Sequence, residues 1–473
     1  MTSPVPWNGD PVCGHDVACA YQTHYCSYIR VPRLLTLQKP TAPGELLLIT
    51  AYQWYELWFK VLLTDLRAAV DSDGATYEPV KLLRRGLELF TLFDQHTDLC
   101  EVLLVRGLGL TRPLSGAGAR SPSRQWSRIM ALARRLPRLS ALPFPGLAEA
   151  VNEYRLRLKR FNARFREFNR ATLVPAQPPE PDYRAWLRLP ELLDLQQAVK
   201  SEWAPAGQAP AGFYVPEQVS PDENMFVTVH QAFEIWFKVI LDQLDCAVPA
   251  LLAGDVAAAT ALVRRVALVQ RLLVPQIQIP ATMLPLDFMR FRNQKLERDG
   301  QVLLTGLTPA SGTESYQFRE IEIVCGLRDD PIFRNYLAGS DQLPVHLLTP
   351  RQRARLSEPT LPEAFRIAAS QRGVESLDDL FTAANAPNPF LDLALLADTL
   401  LEFDEFFRFW RLGHVSMVEK MIGSRSGTGF LGPEYLAETA GLRFQEHNRV
   451  FEERQFRPRF FKELWAARSG LTA

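Results

Sequence analysis

Cysteine is scarce, with six in 473 residues. A chain this long with so few cysteines is not built on a disulfide framework. Three of them fall early among two histidines, as Cys13, His15, Cys19, His24 and Cys26. No CxxC pair is present, so a zinc signature is not expected, and reduced thiols are the preferred reading. His96 and Cys100 lie one helical turn apart on one face; without CxxCH they read as two ordinary helix residues. An excess of one charge sign is also missing, since Lys+Arg and Asp+Glu both number 53. A nucleic-acid partner, which usually calls for a basic surplus, is therefore not expected. No apolar run is long enough to span a bilayer. The opening MTSPVPWNGDPVCGHD lacks the charged and apolar blocks of a secretory signal, so the expected location is cytoplasmic. Strand-like alternation is scarce too, which leaves a helical bundle as the economical architecture.

What the chain does have is apolar content, 47% of its residues, enough for a sizeable core. It also repeats itself. Residues 45–63 read ELLLITAYQWYELWFKVLL and residues 223–241 read ENMFVTVHQAFEIWFKVIL. Upstream of each lies a second matching element, from Tyr25 through Tyr28 to Leu35 and from Tyr183 through Trp186 to Leu193. Two elements in the same order point to duplication of a domain-sized piece, since the period is too long for a solenoid. Between the copies, residues 174–182 carry four prolines, which stop helix and strand alike. This divides the chain into a first copy, 1–175, a linker, 176–182, and a second copy with all that follows, 183–473. Helical spacing predicts helices over 150–172, 223–250 and 390–423. The arginines of 150–172 alternate with Phe161, Phe165 and Phe168, as on a solvated face.

Chemistry-bearing residues concentrate in the second copy. Of seven histidines, His230 and His414 sit inside long apolar helical patterns. Either could be a hydrogen-bonded core residue, and either could ligate a cofactor, because a neutral imidazole serves both ends. Arg292 closes the aromatic-rich turn Leu286-Asp-Phe-Met-Arg-Phe-Arg292, and arginine suits bidentate capture of a carboxylate as well as a surface ion pair. Pro309-Ala-Ser-Gly312 is a turn with a free hydroxyl. Gly427-Thr-Gly429 is a glycine-flanked loop just after the His414 helix.

Taken in order, these pieces resemble the tryptophan 2,3-dioxygenase family. The resemblance covers roughly residues 183–450 and rests on Tyr183-x-x-Trp186-Leu187, His230-Gln-x-Phe-Glu-Ile-Trp-Phe-Lys238, Leu286-Asp-Phe-x-x-Phe-Arg292, Pro309-Ala-Ser-Gly312 with Gln317-Phe-Arg319, and His414-Val-x-Met-Val followed by Met421 to Gly429. It implies an all-α helical bundle holding a b-type haem, preceded here by a partial helical duplicate. It implies His414 as the proximal ligand to the haem iron and His230 as the distal histidine facing the indole nitrogen. Arg292 would hold the amino-acid carboxylate and Thr428 the ammonium and carboxylate. Phe226 and Phe288 would line the indole pocket, and Ser311 would lie near haem and oxygen. Partners implied are O2 and L-tryptophan or a substituted indole amino acid.

Departures occur at the insert 293–308 and after Gly429, where Phe430-Leu-Gly-Pro-Glu434 replaces the family's Gly-Ser-Ser-Gly run. In the first copy Tyr52 stands where His230 stands, and no counterpart of the His414 helix follows, so that copy is expected to carry no haem. In the family a Tyr-x-x-Tyr segment reaches a neighbouring subunit's active site, and Tyr25 and Tyr28 of the fused copy would supply it, with a homodimer expected rather than a tetramer. Three readings follow: a dioxygenase opening the indole C2–C3 bond to an N-formylkynurenine, a haem monooxygenase of an indole or aromatic amino acid, and a non-catalytic haem-binding or interaction protein.

Overall fold

A computed structural model describes residues 25–115, 122–196, 204–205, 220–291, 294–298, 301–305, 315–329, 350–382, 385–423, 440, 442–445, 450–453 and 459–470. Helices dominate, as the sequence predicts. The expected segments appear as α6 (Leu147–Thr172), α9 (Pro221–Leu252) and α15 (Leu391–Ile422). Strands are confined to short pieces. Among them, β1 (Arg112–Ser115) pairs in parallel with β2 (Leu173–Ala176), and the insert after Arg292 forms the hairpin β4 (Gln294–Arg298) and β5 (Gln301–Thr305). Among the described residues no helix is long and apolar enough to cross a membrane.

The chain packs as two compact units. One comprises Cys26–Ile235 with Pro275–Gly306; the other comprises Met1–Tyr25, Trp236–Val274 and Leu307–Ala473. Both sequence copies contribute to the first of these, so packing cuts across the repeat.

The unit holding Cys26–Ile235 is organised around α3 (Glu45–Asp71), which packs on α4 (Glu78–Cys100) and α5 (Arg124–Leu132), while α4 also packs on α6. Trp54, Tyr55, Trp58 and Phe59 of α3 are fully buried, as suits a helix apolar on all sides. The phenylalanines of α6 point inward, with Phe161 and Phe165 against Tyr55, Phe59 and Trp126. Its Arg155, Arg160, Arg166 and Arg170 are exposed, the solvated face that the sequence suggested. Gly86 lets α4 approach α6 closely: a Cβ there would meet the Tyr154 ring at 2.3 Å. His96 and Cys100 are core residues. The His96 ring stacks on Trp54 at 3.8 Å and Cys100 Sγ lies 3.6 Å from its Nδ1.

Matching positions of the two copies make matching hydrogen bonds, some reaching into the other copy and some within each copy. Gln53 Nε2 donates to the Leu187 carbonyl at 3.0 Å, and Gln231 Nε2 donates to the Ile29 carbonyl at 2.9 Å. Gln38 donates to Gln53 and Gln196 donates to Gln231, both at 2.6 Å. Trp186 Nε1 donates to Glu45 at 3.0 Å, and the Tyr28 hydroxyl donates to Glu223 at 2.7 Å. Arg30 (φ 60°) and Arg188 (φ 50°), at equivalent positions, are the two non-glycine residues with positive φ among the described residues. A left-handed arginine costs conformational energy, so its recurrence marks a turn that the exchange of segments requires.

The other unit is built on α15, against which α12 (Tyr316–Val324) and the second half of α9 pack through Phe237, Phe318, Phe407 and Trp410. Buried charges there are paired: Arg411 and Arg319 both bond Glu322 at 2.6 Å. Asp404 accepts the Trp465 indole N–H at 2.8 Å, which ties the C-terminal helix α16 (Lys462–Gly470) to α15.

Candidate active site

Phe226 and His230 are four residues apart on α9, so their side chains share a face. Their ring centroids lie 4.6 Å apart. His230 Nδ1 is 2.7 Å from the Phe226 carbonyl oxygen. A carbonyl can only accept, so Nδ1 carries the proton and donates, and Nε2 is the acceptor nitrogen of the neutral ring. The ring is half-exposed by area yet closely surrounded, and desolvation lowers its pKa to about 4, against the opposing pull of the bond to Phe226.

Phe288 and Phe291 of α11 (Pro285–Phe291) extend the wall. Each lies 5.6 Å from Phe226, and the two meet edge-on at 5.4 Å. The result is an aromatic surface with the His230 imidazole beside Phe226. The Tyr28 hydroxyl is bonded to Glu223, in the first turn of α9 and one turn before Phe226. Burial raises the Glu223 pKa, with the Tyr28 bond working the other way. Burial, and then the Glu223 carboxylate, raise that of Tyr28.

A titration of His230 follows from this environment. Its NMR ring signals are expected to titrate with a midpoint of about 4; a midpoint near the ordinary value of about 6.5 would show a solvated ring. As pH falls from about 6.5 towards 4, the unfolded chain takes up this proton first, so His230 contributes a loss of stability in that window.

His414 lies on α15, half-buried, with its ring centroid 5.5 Å from that of Trp410. Val415, Met417 and Met421 beside it are buried. The structure thus brings His230, Phe226 and Phe288 together with Tyr28 nearby, and places His414 and Tyr25 in the other unit. Arg292, Ser311 and Thr428 lie outside the described residues, as does the early cysteine–histidine cluster through His24. Sequence reasoning missed Glu223 and the charged groups beneath the wall, Lys81, Asp222 and Asp287. A lysine one turn into a helix of the other copy carries no local signal of what it touches.

The equivalent place in the first copy is filled. Tyr52 is fully buried, its hydroxyl 2.9 Å from Asn169 Oδ1 and 2.6 Å from Thr172 Oγ1. Its ring packs on Phe168, Tyr183 and Trp186 at 5.6 to 5.7 Å. Where His230 presents an acceptor, Tyr52 completes a core.

The chain was compared with known proteins. The profile of the family described as Tryptophan 2,3-dioxygenase matches residues 210–364, a stretch that includes Phe226, His230 and Phe288 and ends before His414. A Nocardioides sp. protein named tryptophan 2,3-dioxygenase is 36% identical over 261 residues, covering 52% of this chain and 84% of the relative. One of the same name from Herpetosiphon aurantiacus is 31% identical over 308 residues, covering 61% and 98%. A third, from Caulobacter vibrioides, is 28% identical over 270 residues, covering 53% and 90%.

Proposed function

Because the chain belongs to the tryptophan 2,3-dioxygenase family, we propose that it is a haem-dependent dioxygenase cleaving the indole C2–C3 bond of L-tryptophan or a close analogue. O2 is the co-substrate, both oxygen atoms enter the product, and an N-formylkynurenine results. One observation carries the choice of an indole. His230 is a neutral imidazole, with Nε2 as its acceptor, set in a wall of phenylalanines. A planar apolar ring with a single N–H matches that surface, and the low pKa of His230 keeps the imidazole uncharged at neutral pH.

His414 suits the iron of a haem. A histidine in aromatic, apolar surroundings would be enough to hold the iron of a haem, which commonly takes a neutral imidazole as its protein ligand. Among the described residues no group of three or more His, Cys, Asp or Glu is arranged to hold a bare ion. When bound, the haem supplies the activation of O2; the protein's task is orientation and exclusion of water. Phe226, Phe288 and Phe291 would hold the ring flat, His230 would fix its N–H edge, and Tyr28 would close the wall from the first copy. Arg292 would pair with the carboxylate, with Thr428 beside it and Ser311 near the oxygen. In this reading residues 1–175, 176–182 and 183–473 are divisions of descent rather than of packing, the first copy having kept its closing segment and lost its site.

The test is anaerobic reduction of the haem-loaded protein, then O2 with L-tryptophan. Absorbance of the formylkynurenine chromophore is expected, with two labelled atoms from 18O2; a product carrying one would overturn the dioxygenase assignment. Arg292→Leu is expected to raise the KM for L-tryptophan about tenfold or more, since a buried charge loses its partner. Tryptamine, which has no carboxylate, is expected to be a poor substrate. Equal turnover of tryptamine and tryptophan would show that the carboxylate goes unread.

A further inference from the structure

We propose that Lys81, a residue of the catalytically silent first copy, is a positioning residue for the indole wall of the second. Lys81 lies on α4 and is buried. Its Nζ is 2.8 Å from Asp222 Oδ2 and 2.7 Å from Asp287 Oδ2. Those two carboxylates sit at the roots of the wall. Asp222 is in the first turn of α9, four residues before Phe226, and Asp287 immediately precedes Phe288 on α11. One ammonium therefore bridges the two helices whose phenylalanines face each other at 5.6 Å. Asp222 is fixed further by Arg85 Nη1 at 2.7 Å, and Arg85 is itself held by Asp65 at 2.8 Å. Burial disfavours the charge on Asp222, but Arg85 and Lys81 outweigh it and lower its pKa.

The arrangement runs in one direction only. The exchanged hydrogen bonds of the two copies are reciprocal, whereas this ionic bridge is not. The offset that pairs Gln53 with Gln231 also aligns the start of α4, Glu78, with that of α10 (Val256–Gln276). It then places Ala259 and Val263 where the first copy has Lys81 and Arg85, and Gly44 where the second has Asp222. At those two positions the second copy therefore carries no cation. Buried ion pairs gain little over apolar packing for stability alone; their worth lies in fixing one geometry. Here that geometry is the spacing of the wall that keeps a histidine.

The proposal rests on the reading of that wall as an indole site, and two measurements keep them apart. Lys81→Met, Lys81→Arg, Asp287→Asn and Lys60→Met are compared in the full-length protein. Lys60→Met is the control: Lys60 also joins the copies, through the Leu193 carbonyl and Gln196, without touching Asp222 or Asp287. Hydrogen exchange at residues 285–291 is expected to quicken in Lys81→Met and Asp287→Asn but not in Lys60→Met. The Kd for L-tryptophan, by calorimetry, is expected to rise about fivefold or more in the first two and to recover in Lys81→Arg. Unchanged exchange in Asp287→Asn, or equal effects in Lys60→Met, would overturn the role of Lys81. If native protein binds no L-tryptophan, the indole reading fails and the exchange data still decide the bridge.

Discussion

Replacing His414 with alanine is expected to abolish stable haem binding, while His230→Ala leaves haem bound and removes turnover. The two histidines differ in what surrounds them. His230 spends its Nδ1 proton on the Phe226 carbonyl, and desolvation holds its pKa at about 4. It is a neutral, fixed ring within a phenylalanine wall. His414 lies on a long helix beside Trp410, among buried Val415, Met417 and Met421, and is the residue proposed to hold the haem. His414 would be the main protein anchor of a haem that has no covalent tether. Haem content per chain and the Soret band of the purified variants give the answer. One haem per native chain is expected, because the first copy fills its pocket with Tyr52. Equal haem loss in both variants, or two haems per chain, would sink the assignment of His414.

Arg85→Met is expected to be the most destabilising single change in the unit that carries the wall, by about 3–5 kcal/mol at neutral pH. Arg85 is fully buried and bonds two carboxylates, Asp65 through Nε at 2.8 Å and Nη2 at 3.0 Å, and Asp222 through Nη1 at 2.7 Å. Removing the guanidinium leaves Asp65 buried without its cation and Asp222 with Lys81 alone. The pH dependence has a definite sign. Burial already lifts Asp65 to about 6, with Arg85 pulling it down. Without Arg85 both acids rise further and take up protons more readily, so the loss should be largest near pH 7 and shrink towards pH 5. Arg135→Met breaks the exposed pair with Asp71 and should cost about 1 kcal/mol at most. Denaturant melts of both variants at the two pH values decide it; an Arg85 variant as stable as the Arg135 variant would show the cluster to be dispensable.

Much of this was readable residue by residue. The long helices, the solvated arginines of α6 and the shared face of Phe226 and His230 follow from periodicity within one segment, because side chains three or four apart on a helix must share a face, and the repeat from the likeness of residues 45–63 to 223–241. His96 and Cys100 also resolve as the simpler reading had them, a packed pair under Trp54. The loss of the first copy's histidine is visible in the chain, but its replacement by a sealed core is not, since Asn169, Thr172 and Phe168 come from a helix more than a hundred residues away.

Local sequence, then, specified the elements and the family, because helical spacing and motif order are properties of neighbouring residues. Tertiary structure decided the rest. That Tyr28 meets Glu223, that the two copies trade segments, and that Lys81 spans Asp222 and Asp287 depend on contacts between residues 134 to 206 positions apart. Such contacts leave no periodic trace in the chain. A buried cation and its carboxylates need only meet in space, and the reason they meet is that a desolvated charge without a partner costs more than the fold can absorb.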